Sequence, residues 1–330
     1  AQAILPQGDF ASGCRKPVRP DRIMYTFRLC LALAVACTSA LQTKQHEGDG
    51  ERVCISLAAF EDAEYIDLLV ANMLAFTEPS TKLALHLNAK TKYDAERIAA
   101  WNTSRVVVTD PRVAVDRFMG SVFTAHLSNA WAMEARWPGE CAYYVYQSSN
   151  MMWVRKGLEK VVRESRYSQI SGIENPKGKS ATHEFYGQML KNGRGVNAES
   201  HPEGSFYPMS TVLSFGKLFS EYLASKKETL DSVSNFPAYF EASWFQTYAL
   251  NFDDPPPADR KSFAPPLCFR HLGVGGPDED SVEMEAVVKV AEGTERPYNF
   301  FYGVKRVARD LEHPVTKYIA KLTKNCPGSK

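Results

Sequence analysis

The 330-residue chain is 44% hydrophobic and 23% charged, an ordinary balance for a folded protein in water. Its formal net charge of +1 leaves no basic footprint, and it carries no zinc-finger or RNA-recognition motif, so nucleic acid is excluded as the expected partner. Beyond an N-terminal leader, roughly 280 residues remain, enough for one large α/β domain or two small ones.

Residues 1–23 are rich in Pro, Arg and Gly and read as an upstream or flexible segment without a part in the fold. Met24 opens MYTFRLCLALAVACTSALQT, in which Arg28 precedes an apolar run from Leu29 to Val35 and small residues reach Ala40. That order is the one a secretory signal requires, with a cut after Ala40, which makes 24–40 the expected signal segment. The run is shorter than the roughly 20 apolar residues a spanning helix needs. A signal anchor with Arg28 at the interface is the alternative, and a buried helix is the third reading. A linker over 41–51, a folded domain over 52–325 and a tail over 326–330 complete the expected organisation.

The domain opens on VCISLAA (53–59), an apolar run of strand length. From Glu61 to Phe76, apolar residues at Tyr65, Leu68, Leu69, Met73 and Phe76 have helical spacing, and Glu78-Pro79-Ser80 ends that helix. Lys82 to Leu87 is a second strand, Asp94 to Trp101 a second helix, and RVVVT (105–109) a third strand closed by Asp110-Pro111. Alternating strands and helices predict a parallel sheet with crossover helices, which binds ligands at the carboxyl ends of its strands. No GxGxxG or P-loop follows the first strand, which argues against a dinucleotide or ATP site of those kinds.

Gly120 to Arg136 reads as a helix carrying His126 and Asn129, three apart and so on one face. CAYYVY (141–146) is a strand with Ser148, Ser149 and Asn150 at its carboxyl end, and MMWVRKGLEKVVRE reads as a turn into a helix. Glu174 to Tyr207 is polar and Gly-rich, as expected of long loops over a site. Leu230 to Phe252 is aromatic and helical in its second half. Pro255-Pro256-Pro257 interrupts the chain, and 273–285 is a Gly/acidic loop. The last basic segment is broken at Pro314.

Cys14, Cys30 and Cys37 fall in the leader region. Cys54, Cys141, Cys268 and Cys326 lie far apart with no CxxC spacing, so two disulfides in any of three connectivities, or buried free thiols, are all open. Asn102-Thr103-Ser104 is an N-glycosylation sequon at the end of a helix. Asp278-Glu279-Asp280 reads as a solvated acidic loop, and no metal ligand set is expected. Lys305, Arg306 and Arg309 form the obvious basic cluster, with Arg270 a weaker one; their ordinary role would be a solvated helix face pairing with Asp310 and Glu312. Tyr239, Phe240, Trp244, Phe245 and Tyr248 offer rings for sugar stacking, although their spacing also fits one apolar helix face.

Three stretches carry a resemblance: YVYQSSNMMWVRKGLEKVV (144–162), EGSFYP (203–208) and FYGVKRVARDLEHPVTKYI (301–319). Together with the opening strand-helix-strand unit they resemble the core-2/I-branching β-1,6-N-acetylglucosaminyltransferases, over roughly residues 52 to 320. The resemblance implies a GT-A-type α/β fold, a Rossmann-like single domain with a mostly parallel central sheet flanked by helices. It also implies inverting transfer of a sugar, N-acetylglucosamine or xylose in many members, from a UDP-sugar to a hydroxyl of a glycan or protein in the Golgi. The UDP-sugar is then a donor substrate, and neither metal nor other cofactor is implied. Donor contacts would come from Ser149, Asn150, His126, Asn129, Lys305, Arg306 and Arg309, and acceptor contacts from Glu203, Ser205 and Trp244. Similar sequences carry two adjacent acids ahead of a Thr where this chain has Glu241, Ala242 and Thr247, which makes Glu241 the implied base although the second acid is missing. A secreted, lectin-like binding protein that kept the fold and lost catalysis is the alternative. An α/β hydrolase is disfavoured, because no GxSxG elbow is present.

Overall fold

The structure is a computed structural model that describes residues 51–116, 120–165, 173–174, 183–196, 198–199, 203–230, 233, 239–253, 267–269 and 282–327. At 173–174, 198–199 and 239–242 the backbone alone is described. The leader calls and residues 278–280 therefore lie outside the described residues, as does Arg270.

The domain is mixed α/β, with a mostly parallel central sheet flanked by helices. Strand β1 (Arg52–Ala59) pairs in parallel with β2 (Lys82–Leu87) on one side and β4 (Cys141–Ser148) on the other. β3 (Val106–Val108) extends the sheet beyond β2, and β8 (Phe206–Pro208) adds an antiparallel edge next to β4, giving the order β3-β2-β1-β4-β8. Both faces of β1 are covered, which is why it reads as one unbroken apolar run.

Alternation along the strands sends odd and even residues to different cores. Val53, Ile55, Leu57, Tyr143 and Val145 pack with helix α1 (Ala63–Phe76), with α8 (Met284–Glu292) and with α9 (Pro314–Asn325). Cys54, Tyr144 and Tyr146 face α3 (Ser121–Arg136), α5 (Glu184–Asn192), α6 (Met209–Lys226) and α7 (Tyr239–Phe252). On that second face Cys54 and Cys141 form a disulfide between neighbouring parallel strands, with Cα atoms 5.7 Å apart, while Cys268 and Cys326 are buried free thiols. The fold thus takes neither expected arrangement whole: one pair is bridged and the other two are free thiols.

A second sheet, β5-β10-β9, begins directly after β4. β5 (Met151–Trp153) pairs antiparallel with β10 (Gly303–Lys305), and β10 runs parallel with β9 (Cys268–Phe269). The expected turn into a helix at 151–164 is thus a fully buried strand followed by α4 (Leu158–Ser165). Asn72 of α1 fixes β5 from outside: its Nδ2 donates to Trp153 O (2.8 Å) and to Thr323 Oγ1 (3.0 Å), and its Oδ1 accepts from Trp153 N (2.8 Å).

The long-loop expectation for 174–207 is corrected by α5, which starts at Glu184 behind the cap residue His183, whose Nδ1 accepts from Phe185 N. β6 (Ile173–Glu174) and β7 (Ala198–Glu199) flank that helix as an antiparallel pair. Pro314 starts α9 instead of breaking it, because proline's fixed φ suits the first helical turn and His313 caps it. Helix α2 (Ala95–Trp101) begins as expected, with Asp94 as its cap, and leaves Asn102 exposed at its end. Among the described residues, no helix is long and apolar enough to cross a membrane.

Candidate active site

The strand order places β2 and β3 on one side of β1 and β4 on the other, so a topological switch point lies at the carboxyl ends of β1 and β4. A cleft of about 610 Å³ opens beside the end of β1, lined by Phe60, Glu61, Asp62, Glu64, Tyr65, Arg309, Asp310 and Leu311. The Glu61 side chain, only 2% exposed, organises this end of the sheet. It accepts hydrogen bonds from Phe60 N (2.9 Å), from the Ser149 hydroxyl at the end of β4 and from Arg309 Nε (2.8 Å). The Arg309 guanidinium also lies over the Phe60 ring, 5.3 Å from its centre. The hydroxyl of Tyr65 is buried in the cleft wall with no hydrogen-bond partner among the described residues.

Asn150 draws the C-terminal basic segment to the same place. Its carbonyl accepts from Val307 N (3.0 Å), and its Oδ1 accepts from the Ser148 hydroxyl (3.0 Å). Since Lys305 lies opposite Met151 in the antiparallel β5-β10 pair, Lys305, Arg306 and Arg309 follow one another past the end of β4. Arg306 has φ 69°, a left-handed backbone that a non-glycine residue adopts at a cost, and its Nη1 is buried without a partner among the described residues.

Lys305 forms a short ion pair with Glu203, their side chains 14% and 10% exposed. Burial first, then the charges of Arg306 and Arg309, push the Lys305 ammonium down to about 7. The Glu203 carboxylate pulls the other way. The Glu203 turn is held by its neighbour: Gly204 N donates to Tyr146 O (2.9 Å), and Gly204 O accepts from Leu267 N (3.3 Å). Gly204 has φ +79°, and a Cβ there would stand 2.9 Å from Cys268 N, so the position demands glycine. Ser205 is buried and its carbonyl accepts from Tyr146 N (2.9 Å), which keeps the segment extended beside β4.

The fold therefore brings together Ser149, Asn150, Lys305, Arg306, Arg309, Glu203 and Ser205 from the expected set. His126, Asn129 and Trp244 are instead interior residues. His126 and Asn129 are 1% and 0% exposed and tie α3 to the underside of the sheet. His126 Nδ1 bonds the Ser56 hydroxyl (2.8 Å), and its ring stacks on Tyr146 at 3.7 Å. Asn129 Nδ2 donates to Ser56 Oγ and Leu57 O (2.9 Å each), and its Oδ1 accepts from the Thr109 hydroxyl. Full burial holds His126 well below its ordinary pKa and therefore neutral. Trp244 is also fully buried, packed edge-on against Phe123 (4.8 Å) and Phe219 (4.9 Å), so it presents no ring to a sugar in this conformation. Glu241 lies on α7, but its side chain is outside the described residues. Among the described residues, no cluster of three or more His, Cys, Asp or Glu is placed to hold a metal.

Glu61 was missing from the expected set although a positional signal exists. It stands two residues past the end of the first strand, where parallel sheets place their ligands.

No protein-family model matches this chain, and no curated protein matches it. Among solved structures it is similar to a galactosyltransferase, LgtC, in complex with donor and acceptor sugar analogues. The identity is 11% and the TM-score 0.42, with 83% of this chain and 96% of that one covered.

Proposed function

We infer that the protein is a glycosyltransferase of the GT-A type, moving a sugar from a UDP-sugar to a hydroxyl of a glycan or protein. The observation that carries this reading is the convergence of Lys305, Arg306 and Arg309 with Ser149 and Asn150 at the switch point of a parallel sheet. A departing nucleoside diphosphate needs positive charge where its own charge develops, and guanidinium and ammonium groups supply it without a metal. Asp62 and Glu64 on the cleft wall offer acceptors for sugar hydroxyls, and Phe60 offers an apolar ring. The resemblance at 144–162, 203–208 and 301–319 supports the same class, with N-acetylglucosamine or xylose as the sugar moved and inversion as the stereochemical outcome. The N-terminal leader and the exposed Asn102 sequon support a place in the secretory pathway, in the Golgi lumen or at its membrane.

One observation favours the lectin-like reading: Lys305 and Arg309 already have carboxylate partners in Glu203 and Glu61. Calorimetry with UDP, with and without EDTA, tests the transferase reading. The expected result is binding that chelation leaves unchanged and that Arg306→Ala weakens roughly 10- to 150-fold, the range of a hydrogen bond to a charged group. Equal affinity in the variant, or loss of binding on chelation, would reject the site. Release of UDP from a UDP-sugar separates a transferase from a binding protein.

A further inference from the structure

Glu203 sits in an environment that binding alone does not explain. One of its oxygens, Oε1, takes the Lys305 ammonium. The other, Oε2, is buried with no hydrogen-bond partner among the described residues. Buried carboxylate oxygens are ordinarily satisfied, and each exception calls for a reason. The turn that presents this one is pinned to β4 through Tyr146 and to the β9 segment through Leu267, with glycine obligatory at 204. A carboxylate with one oxygen anchored and the other unpartnered keeps an acceptor position open for the proton of a hydroxyl that enters beside it. It also stands next to the basic segment, where the leaving diphosphate would lie.

We propose that Glu203 is the general base, taking the proton of the attacking hydroxyl on Oε2 while Lys305 stays bound to Oε1. The assignment rests on the transferase reading given above. In the step, the acceptor oxygen forms a bond to the anomeric carbon, and its proton passes to Oε2. The bond from the anomeric carbon to the diphosphate oxygen breaks, and its electron pair leaves with UDP. Before the step the Glu203–Lys305 pair is neutral overall. After it, Glu203 is an uncharged acid and the Lys305 charge is unmatched, at the moment when negative charge grows on the diphosphate. Proton transfer on the acceptor side thereby switches on a cation on the donor side. Burial of Lys305, which holds its ammonium down to about 7, makes that charge costly while it is unmatched and strengthens its attraction to the diphosphate.

The experiment uses the full chain, with UDP-N-acetylglucosamine and UDP-xylose as probes and water as acceptor, following UDP release beside UDP affinity. Glu203→Gln keeps an oxygen for Lys305 and removes the base. Its turnover is expected to fall roughly 10²- to 10⁴-fold, while UDP affinity stays level or tightens because Lys305 is no longer neutralised. Glu203→Asp, which restores a carboxylate, should recover part of the rate. Should Glu203→Gln unfold, the pair Glu203→Gln with Lys305→Met removes the unmatched charge, and its turnover must fall well below that of Lys305→Met alone. Undiminished release by a folded Gln variant that binds UDP overturns this assignment alone, as does loss of turnover in Glu241→Gln with Glu203→Gln active. Absence of UDP binding, or of release from both donors, in the unaltered protein overturns the transferase reading and this assignment with it.

Discussion

Acid should unfold this domain through a histidine that has no part in the proposed chemistry. His86 on β2 is fully buried, its Nε2 accepts from Val113 N (2.9 Å), and its Nδ1 has no partner among the described residues. Burial, and secondarily the charge of Arg112, lower its pKa from 6.5 to about 4, and His126 is near enough to feel a charge on it. The native state therefore holds His86 neutral at a pH where the unfolded chain protonates it. A depressed histidine pKa leaves stability constant above about 6.5 and removes it progressively as pH falls from 6.5 to about 4. Between 6.5 and pH 5 the loss is 1.5 pH units at about 1.4 kcal/mol each, or about 2 kcal/mol from His86 alone. By pH 4 it reaches about 3 kcal/mol. His126 is shifted the same way and adds to the loss. Urea unfolding at pH 7.5 and pH 5 is the assay, comparing the unaltered protein with His86→Gln, whose side-chain oxygen can still accept from Val113 N. The variant should lose about 2 kcal/mol less than the unaltered protein over that interval. Identical losses would show that His86 is not held neutral in the native state, and the reasoning would fail.

Three other outcomes can be measured. Reducing or removing the Cys54–Cys141 bridge opens a loop with a sequence separation of 87, and chain entropy puts the cost at about 4–5 kcal/mol; an equilibrium unfolding difference under about 1 kcal/mol would refute that. Arg306→Gly relieves a left-handed backbone that costs an L-residue about 1–2 kcal/mol, so its melting temperature should not fall while UDP affinity drops; a clear loss of stability would assign the Arg306 side chain a structural role. Expression in a eukaryotic cell should give a product whose mobility is raised by deglycosylation and by Asn102→Gln, and a soluble, unglycosylated full-length product would sink the secretory reading.

The first half of the domain could be read directly. Lys82 to Leu87 has the expected bounds, and the first two helices differ by one or two residues at their starts, because Asp62 and Asp94 are caps outside the helices. Local periodicity sufficed there, since each element is contiguous and amphipathic or wholly apolar. It failed at Met151–Trp153, where a three-residue strand exists only because β10, some 150 residues further on, pairs with it. The 18-residue helix Met209–Lys226 went unread because its core positions mix small and polar residues, Thr211 and Gly216 among them, with aromatics. At the site, residues at strand ends were legible from position. Lys305 and Glu203 were both singled out, but as contacts to different substrates, because their pairing is a property of the folded chain. His126 and Asn129 were singled out by a shared helix face and the resemblance, and Trp244 by its ring, none of which tells a ligand contact from an interior bolt.

The Asn72 amide has a consequence for where the second sheet ends. β5 is an outer strand of its sheet, and an outer strand exposes alternating donors and acceptors to which another chain can add. At Trp153 both main-chain groups are taken by one side chain that offers a donor and an acceptor together, as a neighbouring strand would. Asn72 thus acts as a one-residue counterfeit strand that ends the sheet from within. Replacing it with leucine would fill much the same volume while leaving the Trp153 N–H and C=O buried and unpaired. The variant's characteristic defect should then be a loss of at least about 1–3 kcal/mol in urea unfolding, the cost of a buried polar group left unpaired, with its association state unchanged.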